Sequence, residues 1–291
     1  MTQNAISPDI KAEILLEALP WIQEFRDKVV VVKFGGNAMG DEALSRSFAQ
    51  DIVLMHSVGI KPVVVHGGGP QIGALMNRLG KEPEFRDGLR VTDAETLDIA
   101  RMVLVGKISR DIVSSMNVYG PIAVGVSGED AGLITAGARS PELGFVGDVV
   151  GVNPTILLRL LAEGLVPVVS TIGADDSGQA YNINADTVAG AIAVSLDAEK
   201  VVYLTDIEGL RSNVEDDSSL IRRISSADLA ALVESKVVTG GMIPKVAACI
   251  DAAEAGVRSA HMVDGRIPHV LLIEIFTNHG IGTMVTKEAP K

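Results

Sequence analysis

The sequence of 291 residues contains one cysteine, Cys249, and carries a formal net charge of −12 at pH 7. A single cysteine excludes an intramolecular disulfide and a zinc site built from several cysteines, and we expect this thiol to be buried on a helix. Lysine and arginine form no cluster, although a phosphate polymer or an anionic membrane requires a concentrated basic face. The composition therefore argues against nucleic acid and membrane partners, while a pocket with two or three cations can still bind a small anion.

Long apolar runs are also missing. Acidic side chains at Asp9, Glu13 and Glu17 occupy the region where a signal peptide would need an apolar segment. No apolar run is close in length to the about 20 consecutive residues that span a bilayer. We therefore expect a cytoplasmic protein. With 47% hydrophobic and 21% charged residues, the chain has a globular composition and a length that fits one large domain or two lobes.

Short runs rich in valine and isoleucine alternate with longer amphipathic segments, which is typical of an α/β fold with a parallel sheet. The predicted strands lie near residues 29–34, 62–66, 121–126, 165–170 and 200–205. Two stretches interrupt this rhythm, PEFRDGLRVT around Asp87 and Gly88 and the segment 133–152. Both are predicted to be antiparallel ribbons, which often form a lid when they are inserted in an α/β domain.

Three units follow from this pattern. An apolar stripe from Ile10 to Phe25, opened by a serine–proline pair, predicts one helix in front of the first strand. We assign residues 1–27 to this N-terminal helix, 28–178 to an N-terminal lobe and 179–291 to a C-terminal lobe. No linker rich in Pro, Gly or Ser separates the lobes, so we expect them to share one continuous sheet.

The first candidate site residues follow the first predicted strand. Four valines are followed by Lys33 and then by Gly35 and Gly36, and glycines allow backbone amides to approach a phosphate closely. The spacing matches neither the P-loop nor the dinucleotide-binding fingerprint. A tight strand-to-helix turn without a ligand therefore remains an equal alternative at this position.

Three successive glycines, Gly67, Gly68 and Gly69, follow the second predicted strand and precede a proline and an amphipathic helix. Each glycine costs about 1 kcal/mol relative to alanine in an ordered backbone, and a turn alone does not need three of them. We therefore expect this segment to face a ligand or a reacting group.

Two further helix starts carry polar residues. Asn182, Asn184 and Asp186 precede or open one helix, and capping explains one of the three. Gly241 precedes another helix with Lys245 in its first turn, where a cation opposes the helix dipole. A bound anion would explain this lysine, and a solvated side chain is the alternative. Because open α/β sheets bind ligands at the carboxyl ends of their strands, we expect these segments to converge.

Six motifs resemble those of the amino acid kinase family and occur in the order found there, and the resemblance extends from Val29 to Val285. The motifs are KFGGNAM, HGGGPQI, GLRVT, NINAD, LTDIEGL and GGMIPKV. The resemblance implies a three-layer αβα sandwich with a mostly parallel central sheet, an N-terminal lobe for an acyl amino acid and a C-terminal lobe for ATP with magnesium. The motifs are most similar to those of members that phosphorylate the γ-carboxylate of N-acetyl-L-glutamate in the second step of arginine biosynthesis.

The resemblance also implies residue roles. Lys33 and Lys245 match the lysines that stabilise the transferring phosphoryl group, and Asp186 matches the aspartate that orients both. The implied substrate-binding residues are Gly67, Gly68, Gly69, Arg90, Asn182 and Asn184. The implied ATP-binding residues are Lys33, Gly35, Gly36, Thr205, Asp206, Gly209, Leu210, Gly241 and Lys245. A carboxylate is already a nucleophile at neutral pH, so no general base is needed, and we expect nucleotide oxygens and water rather than protein side chains to hold magnesium.

The motifs leave other functions open. Phe34 stands where relatives commonly have tyrosine, and we expect its side chain to point away from the ligand. Aspartokinases share KFGG, but Thr-Ser would be expected in place of Asn37 and Ala38. A kinase for another acylated acid, such as an aminoadipate derivative, and a catalytically silent amino-acid sensor are the two alternatives. Both phosphoryl lysines are retained, which argues against the sensor.

The N-terminal helix and the C-terminal region suggest regulation. The helix, with Trp21 and Phe25, either packs on its own lobe or, as in arginine-inhibited members, joins homodimers into a ring-shaped homohexamer. Those members bind L-arginine as an inhibitor, and His261, Glu274 and Gly280 match positions that contact it. The remaining histidines show no metal-binding spacing and are expected to be structural or on the surface: His56, His66, His269 and His279.

Overall fold

The computed structural model describes residues 7–212, 216, 219–235, 237–238, 242–278 and 280–288, apart from the side chain of Asn37. The helices are α1 (Pro8–Glu17), α2 (Leu19–Phe25), α3 (Glu42–Ser57), α4 (Gly69–Arg78), α5 (Ala94–Arg101), a π-helix (Met102–Ile108), α6 (Ser109–Asn117), α7 (Thr155–Ala162), α8 (Ala185–Ser195), α9 (Ser226–Glu234), α10 (Ile243–Glu254) and α11 (Val270–Phe276). The strands are β1 (Val29–Phe34), β2 (Lys61–His66), β3 (Phe85–Arg86), β4 (Leu89–Arg90), β5 (Ala123–Ser127), β6 (Ile134–Ala138), β7 (Val146–Val152), β8 (Val166–Ser170), β9 (Ile172–Ala174), β10 (Ala180–Ile183), β11 (Lys200–Thr205), β12 (Arg223–Ser225), β13 (Ser259–Asp264) and β14 (Thr283–Thr286).

One eight-stranded sheet forms the centre of the molecule, in the order β12-β14-β13-β11-β1-β2-β8-β5. From β13 to β5 all neighbours are parallel, and β14 pairs antiparallel with β13. The five predicted strands are β1, β2, β5, β8 and β11, so the predicted parallel α/β sheet is confirmed. Because β11, β1 and β2 are adjacent and parallel, the segments that follow them lie at the same edge of the sheet.

Helices cover both faces of this sheet. Val30 and Val32 of β1 belong to one hydrophobic core, together with residues of α3, α5 and α6. Val31 belongs to a second core, together with residues of α7, α8 and α10. A strand that is buried on both faces consists of a continuous apolar run, which explains the four valines of β1. The predicted three-layer αβα sandwich is therefore confirmed.

Both predicted ribbons are present. β3 and β4 form a short antiparallel hairpin around Asp87, and β6 pairs antiparallel with β7. β9 and β10 close β6 and β7 into a small four-stranded barrel, an arrangement that the sequence did not predict. β10 leads directly into α8, so this barrel sets the position from which α8 begins.

The predicted single N-terminal helix is wrong, because the structure divides it into α1 and α2 at Ala18. Pro20 lies in the first turn of α2, and a proline there removes a backbone donor and clashes with the preceding turn. Phe25 of α2 is fully buried. None of the described residues of α1 is buried, and Leu15 is 74% exposed.

Cys249 is fully buried on α10, as expected. Burial raises the pKa of its thiol well above the ordinary value, which disfavours the reactive thiolate. Within the part of the chain that the structure describes, every helix is too short or too polar to cross a membrane.

Candidate active site

A cleft of about 220 Å³ lies at the carboxyl edge of the central sheet. It brings together nearly all residues that the sequence assigned to the catalytic centre and to the acyl substrate. These lining residues are Lys33, Gly35, Gly36, Gly67, Gly68, Gly69, Arg90, Asn182, Asn184 and Asp186. Their meeting point is where parallel α/β sheets bind ligands.

Asp186 is the acidic centre of this cleft. It lies in the first turn of α8, which packs across β1, β2 and β11. The Lys33 Nζ lies 2.9 Å from Asp186 Oδ1 in an ion pair whose geometry is not that of an aligned hydrogen bond. From the first turn of α10, the Lys245 Nζ lies 3.9 Å from Asp186 Oδ2. One carboxylate therefore holds two ammonium groups that come from opposite halves of the sequence.

This arrangement is largely shielded from solvent. Lys33 is 7% exposed and Asp186 is 6% exposed, whereas the Lys245 side chain is partly accessible. A single carboxylate between two cations leaves a net positive charge in a low-dielectric cleft, and such a charge attracts an anion strongly. The site is therefore suited to phosphate or carboxylate ligands.

The turn after β1 requires glycine at Gly36. Its φ angle is +71°, in the left-handed region that favours glycine. A Cβ atom at this position would also lie 2.8 Å from Asp206 Oδ1, at the end of the neighbouring strand β11. The glycine thus brings the backbone of this turn against the Asp206 carboxylate.

The triple glycine forms the start of α4. Gly68 is the N-cap residue, and Gly69 and Pro70 open the helix. The backbone N–H groups at a helix start have no partner within the helix, and together with the helix dipole they favour an anion. A Cβ at Gly68 would lie 2.3 Å from Ile108 Cδ1 and 2.7 Å from Leu104 Cδ2, so a side chain at this position would have to displace these two buried side chains of the π-helix.

Arg90 reaches the cleft from β4. Its Nη2 donates a hydrogen bond to the Gly69 carbonyl at 2.8 Å, and its guanidinium lies 4.7 Å from the centre of the Phe85 ring. Burial lowers the pKa of Arg90 from its ordinary value. These contacts fix the planar guanidinium at the glycine loop, where its other N–H groups can bind a carboxylate.

The asparagines at the start of α8 have different roles. Asn184 is the helix cap, since its Oδ1 accepts hydrogen bonds from the backbone N–H groups of Asp186 and Thr187. Asn182 lies on β10 beside the cleft, with its Nδ2 at 3.4 Å from Thr92 Oγ1. Capping alone explains Asn184, whereas Asn182 keeps an amide that can meet a ligand.

Several residues that were predicted to bind the nucleotide have structural contacts within the protein. Thr205 ends β11 and is buried, with its hydroxyl donating to the Ile207 carbonyl at 2.9 Å. Gly209 and Leu210 pack against Thr283, whose hydroxyl accepts the Leu210 N–H. Packing therefore explains why glycine and leucine occupy positions 209 and 210, and no ligand is needed for that explanation. Gly241 lies outside the described residues.

No group of three or more His, Cys, Asp or Glu side chains is arranged to hold a metal ion within the described parts of the chain. Near the glycine turn, the Asp206 carboxylate stands against Gly36. Mg²⁺ that accompanies a nucleotide takes most of its ligands from phosphate oxygens and water. The donor set therefore fits an ion that enters with its nucleotide and gains at most one or two protein oxygens.

A second cavity of about 310 Å³ brings together the residues predicted for an effector, His261, Glu274 and Gly280. Trp21 of α2 also lines it, so the N-terminal segment does contact this region. Three cationic side chains that the sequence did not indicate also line this cavity: Lys200, Arg222 and Arg223.

The electrostatics of this cavity centre on Glu274. Burial alone would raise the pKa of Glu274, but hydrogen bonds from His261, Ile281 and Gly282 outweigh burial and lower it. Burial lowers the pKa of His261, so the neutral imidazole donates Nδ1–H to Glu274 at 2.6 Å. Its Nε2 lies 2.9 Å from the Ser259 hydroxyl. Glu274 thus remains an anion that can pair with a guanidinium.

Phe34 points away from the cleft as predicted, with its buried ring stacked on that of Phe48. Leu104 lines the cleft from the π-helix and was not predicted, because no sequence pattern predicts a π-helix. The described histidines outside the second cavity make structural hydrogen bonds, and His279 lies outside the described residues. These bonded histidines are His56, His66 and His269.

Residues 28–264 of the chain match the model of the amino acid kinase family. A protein named acetylglutamate kinase from Nocardia farcinica is 53% identical over 286 residues, which cover 96% of this chain and 94% of the relative. A protein of the same name from Saccharopolyspora erythraea is 51% identical over 297 residues, covering 98% of this chain and 97% of the relative.

Solved structures show the same fold. N-acetylglutamate synthase from Neisseria gonorrhoeae, complexed with coenzyme A and N-acetyl-glutamate, superposes with a TM-score of 0.83 at 27% identity. Its complex with coenzyme A and L-arginine gives a TM-score of 0.79 at 26% identity. The match covers 96% of this chain but only 64% of the chain in the first complex and 66% in the second.

Proposed function

The chain belongs to the amino acid kinase family, and from this premise we propose that it transfers the γ-phosphoryl group of ATP to the γ-carboxylate of N-acetyl-L-glutamate. The products are ADP and N-acetyl-L-glutamyl 5-phosphate, and the reaction is the second step of arginine biosynthesis. Relatives named acetylglutamate kinase, about half identical over nearly the full chain, support this assignment. The observation that carries it is the Asp186 carboxylate between Lys33 and Lys245, in a cleft that also contains Arg90.

The chemistry requires positioning and charge rather than proton transfer. A γ-carboxylate oxygen attacks the γ-phosphorus, and the bond from that phosphorus to the β,γ-bridging oxygen breaks, with its electrons leaving on ADP. Since the acceptor has a reference pKa near 4.3, it is ionised at neutral pH and no base is needed. The two lysines offset the charge on the phosphoryl oxygens, and Asp186 fixes both ammonium groups. Magnesium, bound to ATP as part of the substrate, neutralises further phosphate charge.

The acyl substrate is proposed to bind between the glycine loop and the β3–β4 hairpin. Arg90 presents a fixed guanidinium suited to the α-carboxylate, and Asn182 presents an amide beside it. The start of α4 supplies backbone N–H groups for an anionic oxygen. This arrangement points the γ-carboxylate toward Lys33 and Lys245.

Replacing Arg90 by lysine is expected to raise KM for N-acetyl-L-glutamate about 10- to 100-fold, because a lysine cannot form the paired hydrogen bonds of a guanidinium and charged hydrogen bonds contribute about 1.5–3 kcal/mol. Initial rates over a range of substrate concentrations measure the effect. Arg86→Lys, an exposed arginine on the same hairpin that pairs with Glu84, is the matched control and should leave KM unchanged. Equal KM values in both variants would contradict the assignment.

The reaction itself is tested by trapping acyl phosphate as a hydroxamate, with Mg²⁺ and ATP. Four acids serve as acceptors: N-acetyl-L-glutamate, free glutamate, aspartate and N-acetyl-aminoadipate. Product confined to N-acetyl-L-glutamate would support the proposal. Turnover of the aminoadipate derivative would favour the alternative kinase, since one methylene changes selectivity by only about 1–3 kcal/mol. No product with any acid would favour the amino-acid sensor.

The second cavity supports a proposal of feedback inhibition by L-arginine. Glu274 is an anion placed for a guanidinium, and Lys200, Arg222 and Arg223 are cations placed for a carboxylate. The synthase from Neisseria gonorrhoeae, which shares this fold, has been solved in complex with L-arginine. Trp21 joins the cavity to the N-terminal helices, so occupancy of the cavity can be sensed by α2.

We further propose that α1 joins homodimers into a homohexamer. Its apolar residues Ile10, Ile14, Leu15 and Leu16 are all about half exposed or more, which is costly for a helix that lacks a covering surface. Deleting residues 1–18 is expected to reduce the mass measured by light scattering from that of six chains to that of two. It is also expected to weaken inhibition by arginine, because the helix next to the cavity loses its anchor.

Glu274→Gln separates these two effects. This variant keeps α1 and should keep the six-chain mass, but arginine should no longer inhibit, because the neutral amide cannot pair with a guanidinium. Inhibition is expressed relative to the uninhibited rate of each variant. An unchanged mass after removal of residues 1–18, or unchanged arginine inhibition in Glu274→Gln, would overturn the corresponding proposal.

A further inference from the structure

His66 is a buried polar residue that the reaction described above does not use. It ends β2 directly before the triple glycine, and it is 0% exposed. Its Nε2 lies 2.9 Å from the Ser170 hydroxyl at the end of β8, and its Nδ1 lies 3.1 Å from the Gly67 carbonyl. The ring therefore connects the neighbouring strand with the first peptide of the glycine loop.

The hydrogen positions follow from these partners. Burial lowers the pKa of His66 to about 4, so the ring is neutral and carries one N–H at neutral pH. A carbonyl can only accept a hydrogen bond, so the hydrogen resides on Nδ1 and points at the Gly67 carbonyl. Nε2 then accepts from the Ser170 hydroxyl, whose other contact, the Leu104 carbonyl, is more distant at 3.4 Å.

Holding the Gly67 carbonyl also fixes the next N–H group. The Gly67 carbonyl and the Gly68 N–H belong to one planar trans peptide, in which the two groups point in opposite directions. Because the carbonyl points to the buried imidazole, the Gly68 N–H points away from the imidazole, and Gly67, Gly68 and Gly69 all line the cleft. The side chains of Leu104 and Ile108 lie close to Gly68, so they also restrict rotation of the peptide between Gly67 and Gly68.

We infer that His66 is a positioning residue whose Nδ1–H holds the Gly67 carbonyl so that the Gly68 N–H stays directed at an anionic oxygen in the cleft. The inference rests on the proposed phosphoryl transfer, since the benefit of a fixed donor arises when charge develops on the bound oxygens. Fixed donors of this kind typically change kcat by about 100-fold when they are lost.

Two amide substitutions test the hydrogen bonds of the two ring nitrogens separately. In His66→Asn the side-chain amide occupies the place of Nδ1 and can still donate to the Gly67 carbonyl. In His66→Gln the amide occupies the place of Nε2, so it can meet Ser170 but not the Gly67 carbonyl. The glutamine side chain also fills the buried space better, so His66→Gln should be the more stable of the two variants.

The expected result is that kcat and stability rank the two variants in opposite orders. His66→Asn should keep kcat within about threefold of the unsubstituted chain, whereas His66→Gln should lose about 10- to 100-fold, with KM for ATP little changed. Thermal unfolding gives the stability order. If His66 were only structural, the more stable variant would have the higher kcat, and that ranking, or equal kcat values, would overturn the inference.

Nitrogen-15 NMR of the unsubstituted chain at neutral pH provides a second readout that does not depend on turnover. The His66 ring is expected to show a protonated Nδ1 and a bare Nε2, and the opposite tautomer would overturn the inference. If the unsubstituted chain forms no acyl phosphate, the proposed function fails, whereas the tautomer still tests the hydrogen bond to Gly67. The failure of one proposal is thus distinguishable from the failure of the other.

Discussion

Replacing Lys33 or Lys245 by alanine is expected to lower kcat about 100- to 1,000-fold each. Both ammonium groups are held at one carboxylate, with Nζ at 2.9 Å and 3.9 Å from Asp186 oxygens, and each offsets charge that develops on the phosphoryl oxygens. Removing one such group from a preorganised site costs about 2.7–4 kcal/mol of transition-state stabilisation. The measurement is the steady-state rate of ADP formation at saturating ATP and N-acetyl-L-glutamate.

Two control variants separate catalysis from folding. Lys61→Ala removes a more exposed lysine at the opposite end of the neighbouring strand β2 and should leave kcat unchanged. Lys33→Arg keeps the charge next to Asp186 and should restore stability, yet kcat should remain low. A guanidinium is planar and places its N–H groups differently from an ammonium, so it would not reproduce the Lys33 contact with the phosphoryl oxygens. A value of kcat within about threefold of the unsubstituted chain in Lys33→Ala would contradict the proposed role.

Asp186→Asn is expected to lower both kcat and stability. The asparagine cannot pair with the ammonium groups, so Lys33, which is buried, loses its compensating charge and the two lysines repel each other. Removing one partner of a buried ion pair costs about 3–5 kcal/mol of folding free energy, and we expect a loss of kcat of about 100-fold or more because both lysines are displaced. Urea unfolding and steady-state kinetics measure the two effects.

Binding of MgATP should compensate part of this loss, because phosphate charge takes the place of the missing carboxylate. The melting temperature of Asp186→Asn should therefore rise more on addition of MgATP than that of the unsubstituted chain. The control is Asp197→Asn, an exposed aspartate just beyond the other end of α8 with a left-handed backbone that asparagine also adopts. An Asp186→Asn variant with normal kcat would mean that this carboxylate does not organise the lysines.

The central sheet was predictable where strands are buried on both faces. The valine run of β1 and the similar runs of β2 and β8 allow few structures other than a buried parallel strand. β12, β13 and β14 carry polar residues such as His261 and Ser259 in buried positions, so the same apolar signal is weak there. Their burial depends on pairing with distant strands, which a local pattern does not show.

The cleft was predictable to the extent that glycines and charges follow strands or open helices. Gly36 has a left-handed backbone that favours glycine, Gly68 lies against the side chains of Leu104 and Ile108, and Lys245 opposes the dipole of its own helix. In contrast, Asn184 needed no ligand, because a cap explains it. The distinction between a ligand contact and a cap depends on where the amide points, and residue type does not reveal that direction.

Contacts between residues far apart in the chain could not be derived from local sequence. His66 and Ser170 are separated by 104 residues, and their hydrogen bond depends on the adjacency of β2 and β8. The break between α1 and α2 is a different case, since Pro20 gives a local signal for it. The apolar stripe from Ile10 to Phe25 concealed that signal.

The measurement that tests phosphoryl transfer to the γ-carboxylate most directly follows oxygen-18 from the substrate into inorganic phosphate. N-acetyl-L-glutamate labelled in both γ-carboxylate oxygens is incubated with Mg²⁺, ATP and hydroxylamine, and the released phosphate is analysed by mass spectrometry. Attack of a γ-carboxylate oxygen on phosphorus retains that oxygen as the bridge of the acyl phosphate. Hydroxylamine then attacks the carbonyl carbon and releases phosphate with the bridging oxygen.

If a γ-carboxylate oxygen attacks ATP, each phosphate released from the γ-labelled substrate carries one oxygen-18, and substrate labelled only in the α-carboxylate yields none. Released phosphate that carries no label from the γ-carboxylate would show that water, not the substrate, had attacked ATP, and would contradict the proposed reaction.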